Sequence, residues 1–140
     1  MHIAFTGSRH GMNPIQRQNL YDKLETIDRG PECYFMHGDC VGADETAAML
    51  AWKVGGFLIE RYPSYLKHWQ AHSVYGTQRC QPTHPRTRNR IMVRKCHWLI
   101  AAPKSDEEEI YSGTWSTIRY ARRLEKPITI LYPSGQIGSE

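Results

Sequence analysis

Short apolar runs alternate along this chain with segments that carry helix signals, and that alternation restricts the fold more than any other property of the sequence. Residues 2–6 (His-Ile-Ala-Phe-Thr) form an apolar run that stops at Gly7, and residues 32–36, 57–60, 97–102 and 127–131 form four more. Asn13-Pro14-Ile15-Gln16 reads as a helix start: Asn13 can cap, Pro14 suits the first helical position, and Gln16 can close a capping box. Leu20, Leu24 and Ile27 then recur at spacings of four and three, giving one apolar face. Residues 43–54 place Ala47, Ala48, Ala51 and Val54 on one side, and Gly55-Gly56 stop that helix. A short helix is expected over 86–95, and another from Ser112 to about Leu124 with Ile118, Ala121 and Leu124 on a common face. Strands alternating with helices call for an α/β three-layer sandwich of about five parallel strands, with helices on both faces.

Composition bounds the function classes. A chain of 140 residues is expected to form one domain over 1–140. Its 40% hydrophobic and 23% charged residues are ordinary for a globular protein. No apolar run approaches the roughly 20 residues needed to span a bilayer. The first residues enter a strand-like run at once, so no signal peptide is expected and the reading is cytosolic. Cysteines at 33, 40, 80 and 96 show no Cys-x-x-Cys pair. His37-x-x-Cys40 and Cys96-His97 fall short of zinc-ligand spacing, so reduced thiols and no metal site are expected. The net charge of +4 is mild, but Arg79, Arg86, Arg88, Arg90, Arg94 and Lys95 gather in one region that suits an anionic ligand, nucleic acid, or simply a solvated helix face. Residues 64–85 are aromatic and polar without clear periodicity, and are expected to form a variable loop.

Right-handed crossovers place the loops that follow parallel strands on one edge of the sheet. Gly7-Ser8-Arg9, the segment His37-Gly38-Asp39-Cys40-Val41-Gly42-Ala43-Asp44, Tyr62-Pro63 and the stretch from Pro103 to Thr114 all follow strands and should converge there. Tyr111-Ser112-Gly113-Thr114-Trp115-Ser116-Thr117 opens a helix whose first N–H groups lack partners and carry partial positive charge, as a phosphate requires. Gly7 and Ser8 let backbone approach an anion, and Arg9 can pair with it bidentately. Asp39 or Asp44 could accept from ribose hydroxyls, with helix capping the plainer role for Asp44 and equally for Ser112 or Thr114. Arg88-Asn89 could meet a phosphate or a base edge. Trp98 and Trp115 are expected in the core; Tyr62 and Trp69 are the better stacking candidates. Dinucleotide and triphosphate glycine fingerprints are absent, as is a nucleophile elbow.

Taken together, Gly7-Ser8-Arg9, the 37–44 segment, Arg88-Asn89-Arg90-Ile91-Met92-Val93, Leu99-Ile100-Ala101-Ala102-Pro103 and Ser112-Gly113-Thr114-Trp115 resemble the SLOG superfamily. These are Rossmann-like proteins related to the lonely-guy phosphoribohydrolases and to DprA, and the likeness is to a small stand-alone branch of bacteria and phages. It spans nearly the whole chain in order, apart from 64–85. It implies a nucleotide-derived ligand in the cleft at the strand ends, usually within a homo-oligomer, with no bound cofactor and no membrane. On that basis the candidate ligand-binding residues are Gly7, Ser8, Arg9, His37, Gly38, Asp39, Asp44, Pro63, Arg88, Asn89, Pro103, Ser112, Gly113, Thr114 and Thr117.

Lonely-guy enzymes carry Pro-Gly-Gly-x-Gly-Thr-x-x-Glu, whose glutamate is essential to cleaving the N-glycosidic bond. Thr117 stands at that glutamate's place here, and threonine cannot ionise to support an oxocarbenium-like transition state. The reading therefore leans from enzyme to binder: a protein that senses or sequesters a phosphorylated nucleotide-derived molecule, such as an ADP-ribose-type or cyclic nucleotide signal, as a phage sponge for immune signals would. The alternative is a nucleoside-monophosphate N-glycosidase using Asp39, Asp44 or Glu45 instead. A weaker one is DprA-like binding of single-stranded DNA through the 86–95 arginines, with nucleic acid otherwise an unlikely partner.

Overall fold

A computed structural model describes all 140 residues, Met1–Glu140. Its strands are β1 (His2–Gly7), β2 (Tyr34–His37), β3 (Leu58–Arg61), β4 (Thr77–Gln78), β5 (Trp98–Ala102), β6 (Ile128–Leu131) and β7 (Ile137–Ser139). They form one sheet in the order β4-β3-β2-β1-β5-β6-β7, parallel throughout except for the antiparallel pair β6–β7. The helices are α1 (Pro14–Thr26), α2 (Ala43–Val54), α3 (Pro85–Lys95) and α4 (Gly113–Arg123).

Alternate strand residues feed two apolar layers, because successive side chains of a strand point to opposite faces. Ile3, Phe5, Phe35 and Ile100 join Leu20 and Leu24 of α1 and Ala47, Ala48 and Ala51 of α2. On the other face Ala4, Met36, Leu99 and Ala101 join Met92 and Val93 of α3 and Trp115, Ile118 and Ala121 of α4. The result is a Rossmann-like sandwich with two helices on each face. Asn13 and Gln16 form the reciprocal capping box at the start of α1, and the buried Gln16 amide also donates to the carbonyls of Pro103 (2.7 Å) and Leu131 (2.9 Å).

The sheet has seven strands rather than about five. The two unexpected ones are short edge strands whose pairing is not written in apolar alternation. β4 lies inside the 64–85 segment, which is therefore not a bare loop: it also holds a turn of 3₁₀ helix, Lys67–Trp69. At the C-terminal end Gly135, at φ +97°, reverses the chain so that β7 returns along β6. No helix is long and apolar enough to cross a membrane.

Candidate functional site

The sheet order reverses its direction of growth between β1 and β5, and the loops leaving these neighbouring strands part to open a crevice. A cleft of about 540 Å³ lies there. Among the expected site residues it is lined by Gly7, Ser8, Arg9, Asp44, Arg88, Asn89, Ser112, Gly113 and Thr114. Four separate strand–helix junctions thus meet at one edge.

Close packing of backbone builds the first corner. A Cβ on Gly7 would strike the Ala43 side chain, so glycine lets the start of α2 rest on the end of β1. Gly42 has φ +96°, and a Cβ there would collide with the Arg9 carbonyl. The Ser8 carbonyl accepts from the N–H of Ala43 (3.0 Å) and of Gly11 (3.0 Å), which fixes the turn beneath Arg9. Exposed Arg9 extends over the Trp69 ring, 4.0 Å from its centroid.

The second corner is the start of α4. Ser112 caps it, its hydroxyl accepting from Trp115 N–H at 3.2 Å. Neither the Gly113 nor the Thr114 N–H has a partner in the protein, and both residues line the cleft. These donors, at the positive end of the helix dipole, are what an anion seat needs. A Cβ on Gly113 would meet no atom within 4 Å, so nothing in the chain's own packing calls for glycine there.

Between the corners sits a buried charged pair of residues. Arg88, in the first turns of α3, donates through Nη1 to the carbonyls of Gly38 and Tyr62 and through Nε to Asn89 Oδ1. Asp44 is not the N-cap of α2; Gly42 holds that position, and the Asp44 carboxylate turns back to accept from Cys40 N–H at 3.2 Å. Gly38 leaves room for both, since a Cβ there would meet Arg88 Nη1 and Asp44 Oδ2. Burial pushes the Asp44 carboxyl up to about 6, against the pull of Arg88 and the N–H groups of Cys40 and Gly38. Burial likewise pushes the neighbouring Cys40 thiol up to about 11.

The remaining expected residues stand apart from the cleft wall. Asp39, with φ +50°, is buried and committed: it pairs with Arg61 (3.1 Å) and accepts from Ser73 N–H (2.9 Å), anchoring the 64–85 segment. Glu45 is exposed on α2 outside the cleft. His37 is fully buried, its Nδ1 accepting from Asp39 N–H (3.0 Å) while burial lowers its pKa to about 4. Pro63 and Pro103 are buried and do not line the cleft. Thr117 donates to the Gly113 carbonyl (2.9 Å) and lines a smaller neighbouring cavity. Tyr62 is a core residue, hydrogen-bonded to Glu60 (3.2 Å), and not a stacking platform. Trp115 is buried as expected, and Trp98 is half-buried against the core.

The long segment supplies the wall that the sequence left open. Ser64, Leu66 and Trp69 line the cleft, tied down by Val41 N–H to the Trp69 carbonyl (2.8 Å) and Ala71 N–H to the Asp39 carbonyl (2.8 Å). Glu109, the last residue of the acidic run 106–109, is the second carboxylate of the lining beside Asp44 and was not singled out from the sequence. No group of three His, Cys, Asp or Glu side chains is placed to hold a metal ion.

No family model matches the sequence, and no curated protein matches it. Solved structures do. The chain is similar to a molybdenum cofactor binding protein from the phototrophic bacterium Rippkaea orientalis, with TM-score 0.69 and 23% identity over 94% of this chain and 76% of that one. It is similar to the structural-genomics target TM1055, with TM-score 0.59 and 15% identity over 91% and 71%. It is also similar to DNA processing protein A from Helicobacter pylori, a single-stranded DNA binder, with TM-score 0.61 and 19% identity over 93% of this chain and 64% of that one. The chain shares the Rossmann-like fold of these solved structures.

Proposed function

We propose that this protein binds a phosphorylated, nucleotide-derived small molecule and holds it intact, its phosphate on the free N–H groups of Gly113 and Thr114. The observation that carries this reading is that those two donors line a 540 Å³ cleft at the sheet's switch point, with the Arg9 and Arg88 corners in the same lining. Ligand sites of small molecules fall in about this volume range. Two proteins of the same fold bind a molybdenum cofactor and single-stranded DNA, which supports a ligand at this fold's cleft. The likeness to a single-stranded DNA binder gives no support to the expectation that nucleic acid is an unlikely partner.

Asp39 is withdrawn from the catalytic candidates because it is spent on Arg61 and Ser73, and Glu45 because it lies outside the cleft. Thr117 leaves the α4 corner without an ionisable group. Sequestration of a signal nucleotide in a bacterial or phage-infected cytosol, by a homo-oligomer, is the biological form of this reading. A hydrolytic reading is favoured by one observation: Asp44, raised to about 6, and Glu109 both line the cleft, and such carboxyls suit proton transfer.

The test is incubation of near-stoichiometric protein with nucleoside monophosphates, NAD, ADP-ribose and cyclic nucleotides, followed by chromatography with mass detection before and after heat denaturation. Depletion of one ligand and its intact return on denaturation is the expected result. Release of free base identifies a glycosidase and favours the hydrolytic reading, and no depletion of any ligand overturns the binding reading.

A further inference from the structure

A second cavity of about 290 Å³ adjoins the first, and the two share Pro85, Asn89 and the ridge Ile110-Tyr111-Ser112-Gly113 as common lining. The α4 N-terminus therefore stands at a junction and not at a dead end. The two compartments differ in charge. Two carboxylates line the main cleft, whereas the second cavity has none and carries Arg86 and Arg90 from α3 and Arg123 from α4. None of these three guanidiniums has an acidic partner. Arg90 and Arg123 instead pack over the Tyr120 ring, 5.2 and 5.5 Å from its centroid, with Arg94 at 5.9 Å. Three like charges around one ring repel one another, and a bound anion relieves that repulsion.

From this we infer that the phosphate at Gly113 and Thr114 is internal to the ligand, not terminal. The ligand is a two-phosphate molecule, a diphosphate- or phosphodiester-bridged nucleotide. One half occupies the main cleft, and the other carries its second phosphate into the cavity of Arg86, Arg90 and Arg123. A nucleoside monophosphate fills only the first compartment. This inference rests on the phosphate seat proposed above and adds the class of ligand that seat serves.

The experiment is calorimetry at fixed 0.15 M salt. AMP is compared with ADP-ribose and the dinucleotide pApA on the wild-type chain and on the double variant Arg90→Gln/Arg123→Gln. Charge-assisted hydrogen bonds to a second phosphate should make at least one two-phosphate ligand bind about tenfold or more tightly than AMP. The variant should lose that advantage and bind AMP as the wild type does. AMP binding without any advantage for ADP-ribose or pApA overturns the inference and leaves the phosphate seat standing, as does an advantage that survives in the variant. No binding by any of the three overturns the seat itself. An oligothymidylate that binds more tightly than all three, and is lost in the variant, assigns the arginines to nucleic acid and overturns the inference. If the variant does not fold, the wild-type comparison of AMP with ADP-ribose and pApA decides alone.

Discussion

The guanidinium of Arg9 lies 4.0 Å from the centre of the Trp69 indole, so the corner after the first strand is held by a residue from the long segment between β3 and α3. Stacking restricts an otherwise free, exposed arginine and presents it at the cleft mouth. Arg9→Ala and Trp69→Ala should each weaken nucleotide binding, Arg9→Ala by about tenfold. The double variant should lose less than the sum of the two, because Trp69 acts through Arg9. A double-mutant cycle by calorimetry measures the coupling, and full additivity removes the indole from this role.

Glycines at the site divide by what surrounds them. Gly42→Ala forces a Cβ into the Arg9 carbonyl at φ +96°, and should cost about 3 kcal/mol in urea unfolding. Gly113→Ala meets no neighbour within 4 Å and should change stability by less than about 0.5 kcal/mol while weakening nucleotide binding, since the only thing its Cβ can obstruct is the ligand. A stable Gly113→Ala variant that binds normally contradicts the phosphate seat.

The sheet and its helices could be read from the sequence because their signals are local. Asn13-Pro14-Ile15-Gln16 forms the capping box it spells, and Ala47, Ala48 and Ala51 pack as their spacing says. The roles of Asp39 and Asp44 were not legible, because they depend on partners distant in sequence. Asp39 meets Arg61 and Ser73, while Asp44 faces Arg88, 44 positions along the chain. Strand β4 and the cleft-lining Ser64 and Leu66 escaped for the same reason. Their segment has no period of its own and takes its shape from hydrogen bonds to residues 39–41.

Asp39 belongs to the structure of the cleft and not to its chemistry. Asp39→Ala leaves Arg61 unpaired in a half-buried setting and frees the Ser73 N–H, and should cost about 3 kcal/mol in thermal or urea unfolding. Loss of binding should follow only from the loosened 64–85 wall. A variant as stable as the wild type that nevertheless loses nucleotide binding contradicts this assignment.

Asp44 gives the site a pH dependence of known sign. Burial raises its folded-state value to about 6 from 3.8, so the folded protein takes up a proton that the unfolded chain has already released between these values. Its contribution to stability therefore falls as pH rises from about 4 to about 6. The same ionised carboxylate repels an anionic ligand, so affinity for ADP-ribose, which has no phosphate monoester to titrate near 6, should rise as pH falls from 7.5 to 5.5. Asp44→Asn should raise affinity at pH 7.5 by about fivefold and flatten this dependence. Making the comparison in a His10→Gln background removes the one histidine that lines the cleft. An unchanged profile shows that Asp44 does not face the ligand.

The most direct test is an amide ¹H–¹⁵N titration of the 16.2 kDa chain with AMP. The Gly113 and Thr114 resonances should move downfield and further than any others, as unpartnered N–H groups gain a phosphate acceptor, with Arg9 and Ser8 following. Saturable shifts confined to other surfaces, with Gly113 and Thr114 unmoved, contradict a phosphate at the start of α4 and with it the proposed function.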